Sequence, residues 1–104
     1  MSDTLIKIKR LILARRYRFS RKAQLELIRD GISEEDVAEA IINAPAVYKR
    51  IISQDPETGT REYLYVISGP TYSGLIIYTK GKFLHEAELE EFYFLISTKR
   101  DVNI

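Results

Sequence analysis

Lysine, arginine and tyrosine recur on segments that read as strands: Lys49 and Arg50 on one, Arg61, Tyr63 and Tyr65 on the next, Tyr78 and Lys80 on a third. Side chains of these types work on phosphate esters without a metal. The cations bind the phosphate and stabilise the extra charge it gains in the transition state. A lysine with a shifted pKa or a tyrosine moves the protons of the 2′-hydroxyl and of the leaving oxygen. The phenol rings also offer surfaces on which unpaired bases stack. Against this stands packing. Strands favour aromatics for burial alone, and for Tyr63, Tyr65 and Tyr93, each taken singly, a core or half-buried place is the weightier reading.

Other chemistries have little to stand on. The chain has no cysteine and one histidine, His85, which removes disulfides, thiolate sites and histidine-rich zinc sites. Glu34, Glu35 and Asp36 open a helix, where they stabilise its dipole. Glu86, Glu88, Glu90 and Glu91 suit an edge strand kept soluble better than a magnesium site. No serine has a histidine partner at a recognisable spacing, so hydrolase triads drop out. No metal or cofactor is expected.

The net charge of +1 conceals an uneven distribution. Residues 1–22 carry eight cations against Asp3 alone, whereas residues 23–62 carry nine acids against four cations. Such asymmetry points to a polyanionic partner, with a solvated helix face as the plain alternative. Arg15, Arg16, Arg18, Arg21, Lys22, Arg50, Lys99 and Arg100 are the candidates for RNA contact. Arg21 and Lys22 stand at the positive end of a helix, where a cation costs a little and a bound phosphate would reverse the penalty.

These groups must be positioned by one domain, since 104 residues suffice for a single core and no more. Leu5, Ile8, Leu11 and Ile12, widened by Ile6 and Leu13, mark an amphipathic helix over 3–15. Tyr17 to Phe19 reads as a short extended link. Ser20 caps a second helix over 21–30 whose Ala23, Leu27 and Ile28 face inward, and Gly31 ends it. Ser33 and Asp36 form a weak capping box for a third helix, closed by Asn43, Ala44 and Pro45. Strands follow over Val47 to Ser53, Arg61 to Ser68, Leu75 to Lys80 and Phe92 to Lys99. The first two are joined by a turn at Asp55-Pro56-Glu57-Thr58-Gly59, and Gly81 marks another turn. For residues 84–91 three readings stay open: an irregular connection, a helical turn, or the start of the last strand. Residues 101–104 read as a tail. The expected fold is α+β, with N-terminal helices packed on one face of a mainly antiparallel sheet of about four strands. With no apolar run near the roughly 18 residues a spanning helix needs, and no signal-peptide layout, a cytoplasmic protein away from membranes is expected.

Three stretches carry a family resemblance. The segment from Leu5 through Val37, with Tyr17-x-Phe19-Ser20 and then Asp30-Gly31-Ile32-Ser33, is similar to the opening of the MqsR and BrnT toxin families and of a related uncharacterised family. Tyr48-Lys49 resembles the position of an active-site lysine in MqsR-like toxins, and Thr60-Arg61-Glu62-Tyr63 resembles the arginine-bearing strand of BrnT-like ones. Phe94-Leu95-Ile96-Ser97-Thr98-Lys99-Arg100 is similar to their closing strand. The chain thus resembles the RelE-like superfamily of ribonuclease toxins. The resemblance implies a single RelE-like domain over 1–104 that acts as a metal-independent endoribonuclease on mRNA and is held inactive by a cognate antitoxin. It further implies Lys49 and Arg61 as phosphate binders or transition-state stabilisers, Tyr63 as proton donor and Lys80 as a further cation. One departure is plain: many members carry a histidine where this chain has Lys22. A non-catalytic module of the same fold, binding RNA or a protein, is the alternative, and a structural or regulatory domain is a third.

Overall fold

A computed structural model describes residues 2–86 and 90–101. The order of elements is α1 (Asp3–Leu13), β1 (Tyr17–Phe19), α2 (Arg21–Asp30), α3 (Glu34–Asn43), β2 (Lys49–Gln54), β3 (Arg61–Pro70), β4 (Ile76–Glu86) and β5 (Glu90–Arg100). The strands form one mixed sheet in the order β1-β5-β4-β3-β2. Every neighbouring pair is antiparallel except β1 with β5.

Each helix begins at a serine, at Ser20 and Ser33 as the sequence suggests and at Ser2 in addition. Ser2, Ser20 and Ser33 accept hydrogen bonds from the third backbone N–H beyond them, and Ser33 with Asp36 closes a reciprocal capping box. Gly31 ends α2 at φ 67°, in the left-handed region that glycine enters without steric cost. At the end of α1 that role falls to Arg15, at φ 59°, while Arg16 N–H donates back to Leu11 across the turn.

The core comes from one face of the sheet. Tyr65 and Ile67 of β3, Ile77 and Phe83 of β4, Tyr93 and Leu95 of β5, and Tyr17 and Phe19 of β1 occupy matching register positions and pack with Leu5, Ile8, Ile12, Leu27, Val37 and Ile41 of the helices. Burying each of the larger aliphatic side chains contributes about 1.5–3 kcal/mol. Two glycines make room for close neighbours, one across the layers and one within the sheet. A Cβ on Gly69 would lie 2.0 Å from the Ala40 carbonyl oxygen of α3, and one on Gly81 would lie 2.6 Å from Cζ of Tyr93.

The expected architecture needs correction at five places. The sheet has five strands, because the link Tyr17–Phe19 pairs in parallel with Tyr93, Phe94 and Leu95. Its three residues are too few to show an alternating pattern. Helix α2 does not simply join the covering layer: it also runs along the edge of β5 beyond the end of β1, placing its carboxylates on that strand's free N–H groups. Gly81 is no turn. It sits inside β4, beside a β-bulge where the register with β5 shifts, and its missing side chain is the space Tyr93 fills. Ile28 points outward and is 78% exposed, and Leu13 is 71% exposed, so neither belongs to the stripe assigned to it. Of the described residues in 84–91, only Glu90 and Glu91 begin the last strand, as one of the open readings had it; Leu84–Glu86 instead extend β4, which none of the three included, with Leu84 pairing with Phe92, His85 with Glu91 and Glu86 with Glu90. Residues 87–89 lie outside the described residues, as do 102–104 of the expected tail. No described helix is long and apolar enough to cross a membrane.

Candidate nucleic-acid interface

Alternation along the strands gives the sheet a second face that supplies none of the core cluster. Register places Lys49, Val66, Lys80 and Ser97 in one row across β2, β3, β4 and β5. Neighbouring strands lie about 4.8 Å apart, so Lys49 and Lys80 stand about 10 Å from each other on the same surface. A parallel row runs Arg18, Phe94 and Lys82, another pairs Lys99 with Tyr78, and a fourth pairs Phe92 with Leu84. On this face Tyr78, Lys80, Lys82, Leu84, Phe92 and Phe94 are half-buried, whereas Val66 and Ser97 are buried, so the cations stud a partly covered aromatic and aliphatic surface.

Some of these cations are occupied. Arg18 pairs with Glu86 and its guanidinium lies 4.5 Å from the centre of the Phe92 ring, which Arg16 approaches at 5.5 Å. Lys82 reaches Glu62 at 2.9 Å. Lys99 lies 5.5 Å from the Tyr78 ring. Lys49 and Lys80 have no ion-pair partner among the described residues. Burial, and then the neighbouring charge of Glu26, push the Tyr78 phenol above its ordinary range, so it holds its proton at neutral pH. Half-buried rings such as Tyr78 and Phe94 beside free cations can stack bases and hold the intervening phosphates.

The residues assigned from sequence are divided. Lys49, Lys80, Arg18 and Lys99 share the uncovered face, with Arg16 beside it at Phe92. Arg61 and Tyr63 fall on the opposite face, with Arg50, whose guanidinium stacks 4.4 Å over the Tyr63 ring. Arg61 also sits five residues along β3 from the Lys49 row, about 17 Å away. The four groups Lys49, Arg61, Tyr63 and Lys80 thus do not line a single cleft. Arg100 lies against α2, where its N–H donates to Asp30, and Arg21 and Lys22 are exposed in the first turn of that helix. Arg15 belongs to the turn after α1.

Lys49 also borders a recess of about 290 Å³ at the sheet edge, shared with Arg50, Tyr65, Val47, the capping Ser2 and Thr4 of α1. It holds two cations and hydroxyl groups, with no carboxylate or imidazole in its lining. His85 is engaged elsewhere, 2.9 Å from Glu91, which Lys7 also meets at 3.0 Å. Among the described residues no group of three or more histidines and acids is placed to hold a metal ion.

Sequence reasoning missed Lys82, Phe92 and Phe94 as parts of the surface. The signal was present in the alternation of Tyr78, Lys80, Lys82 and Leu84, but reading Gly81 as a turn cut that series in two.

Compared with protein-family models, curated proteins and solved structures, the chain matches none.

Proposed function

We propose that the uncovered sheet face binds single-stranded RNA and that the protein is a metal-independent endoribonuclease toxin, neutralised by a cognate antitoxin. The observation that carries the binding is the gathering of Lys49, Lys80, Lys82, Lys99 and Arg18 with Tyr78, Phe92 and Phe94 on one surface. In this reading the 2′-hydroxyl attacks the phosphorus and gives its proton to water while the bond to the 5′-oxygen breaks; Lys80 and Lys49 hold the phosphate and stabilise its added charge, and protonated Tyr78 gives its proton to the leaving 5′-oxygen. The family resemblance supplies the reaction class and the antitoxin.

A second reading, RNA binding without cleavage, is favoured by one feature: neither the face nor the recess presents an imidazole as a base for the 2′-hydroxyl, and the described His85 is bound to Glu91. One experiment separates the two. Single-stranded RNA is incubated with the protein in chelator, and both ends and mobility are read. Fragments with 2′,3′-cyclic phosphate ends that vanish in Lys80→Ala support cleavage. Intact RNA retarded on a gel supports binding alone, and RNA that is neither cut nor retarded overturns both. A small reading frame for an acidic or DNA-binding protein beside this gene would support the antitoxin.

A further inference from the structure

Two surfaces remain that the RNA reading does not use. On α2, Arg21, Lys22, Leu25 and Ile28 share the outward side, since residues three and four apart on a helix are neighbours. Leu25 is 54% exposed and Ile28 78%, and the two side by side on one helix face make an apolar crest rather than a lone exposed residue. Arg29, on the same side, is already held on Asp30 at 2.9 Å, which leaves Arg21 and Lys22 as the unpaired charges of this ridge among the described residues. The ridge is apolar at its crest and positive at its helix start.

The second surface is a groove between the end of α1 and α3. It encloses about 320 Å³ and is walled by Leu13, Ile42 and Tyr72 with Glu35 and Glu39. Leu13 and Tyr72 stand at 71% and 79% exposure on its rim. Glu39 accepts the Tyr72 N–H at 3.1 Å and so holds that rim in place, while Glu35, one helical turn away, has no partner among the described residues. Arg15, in the left-handed turn after α1, lies at the same groove and leaves it with one net negative charge.

An apolar ridge with two free cations and an apolar groove with excess negative charge are complementary in both respects. We infer that the groove receives the α2 ridge of a second copy of this chain, with Leu25 and Ile28 filling the cavity and Arg21 or Lys22 meeting Glu35. Because ridge and groove are different surfaces, the contact is heterologous. Each joined copy keeps one unused half, and growth continues until a ring closes or a filament forms. Association therefore rises with concentration and weakens with salt, since its charge pairs are exposed.

The test uses sedimentation velocity on the full chain and two variants at exposed positions, Ile28→Ser on the ridge and Glu35→Lys at the groove, with circular dichroism confirming that each is folded. The wild type is expected to form a series of species that grows with concentration. Each variant alone should associate about tenfold more weakly or less. An equimolar mixture of the two should recover a contact, because the Glu35→Lys ridge still fits the Ile28→Ser groove, and it should stop at a one-to-one dimer. A wild type that stays monomeric up to its solubility limit would overturn the inference, as would variants that assemble like the wild type or a mixture that remains monomeric.

Discussion

Glu26 of α2 accepts a hydrogen bond from the backbone N–H of Thr98 at 3.2 Å, and the same carboxylate takes the Ser97 hydroxyl at 2.9 Å. One helical turn later Asp30 accepts the N–H of Arg100 at 2.9 Å. The match is geometric: two carboxylates four residues apart on a helix are spaced like two N–H groups two residues apart on a strand. A helix thereby satisfies the edge that β1 is too short to cover, and the strand is closed to pairing with another chain.

Removing that acceptor should cost more than changing its charge. Glu26→Ala leaves the buried Ser97 hydroxyl and Thr98 N–H without a partner and should lower the unfolding free energy by about 2–3 kcal/mol, whereas Glu26→Gln keeps an acceptor oxygen and should lose less than half of that. Urea denaturation of the three proteins decides it. Equal losses would mean that charge rather than hydrogen bonding is what the strand requires.

The second acceptor makes stability depend on acid. The Arg29 guanidinium, and after it the N–H of Arg100, hold the Asp30 carboxyl below its ordinary range. Its proton is thus bound more weakly in the folded state than in the unfolded one, where the pKa is about 3.9. Its contribution is fully present above that value and is lost as pH falls from there through the folded pKa. Asp30→Asn should therefore show a shallower decline in stability between pH about 4 and 2 than the wild type. Parallel curves for the two proteins would remove Asp30 from the acid response.

Tyr93 should be worth more as a ring than as a phenol. The residue is fully buried, its hydroxyl has no hydrogen-bond partner among the described residues, and burial pushes its pKa far upward. Tyr93→Phe should then be neutral or stabilising by up to about 1–2 kcal/mol. Gly81→Ala places a methyl group 2.6 Å from that ring and should destabilise by about 1–3 kcal/mol. In the double variant the steric cost should fall, because the same Cβ would lie 2.7 Å from the hydroxyl oxygen that Phe lacks. Thermal melts of the four proteins form the cycle, and strict additivity would speak against direct contact.

On the uncovered face, Lys80 should bind RNA through charge alone. Lys80→Gln should weaken affinity for single-stranded RNA of any sequence and make the slope of log affinity against log salt shallower by about 0.7. Arg61→Gln, on the other face, should change that slope little. Fluorescence anisotropy across a salt series measures both, and a larger effect at Arg61 would place the RNA on the wrong side of the sheet for the proposal.

Local order was legible because local chemistry dictates it. Ser20, Ser33 with Asp36, and Gly31 act within one turn of themselves, and caps of this kind need no knowledge of distant residues. The hairpin of β2 and β3 follows in the same way from its Pro-Glu-Thr-Gly turn, with Gly59 at φ 71°. The α+β class came from the change of hydrophobic period along the chain. What the tertiary structure decided is long-range. Whether three extended residues become a strand depended on Tyr93 to Leu95 offering an edge. Whether Gly81 bends or continues depended on the ring of Tyr93 needing its space. The separation of Lys49 and Lys80 from Arg61 and Tyr63 rested on register, where a shift of one residue exchanges the two faces, and register is fixed by which side chains the helices bury rather than by the strand's own composition.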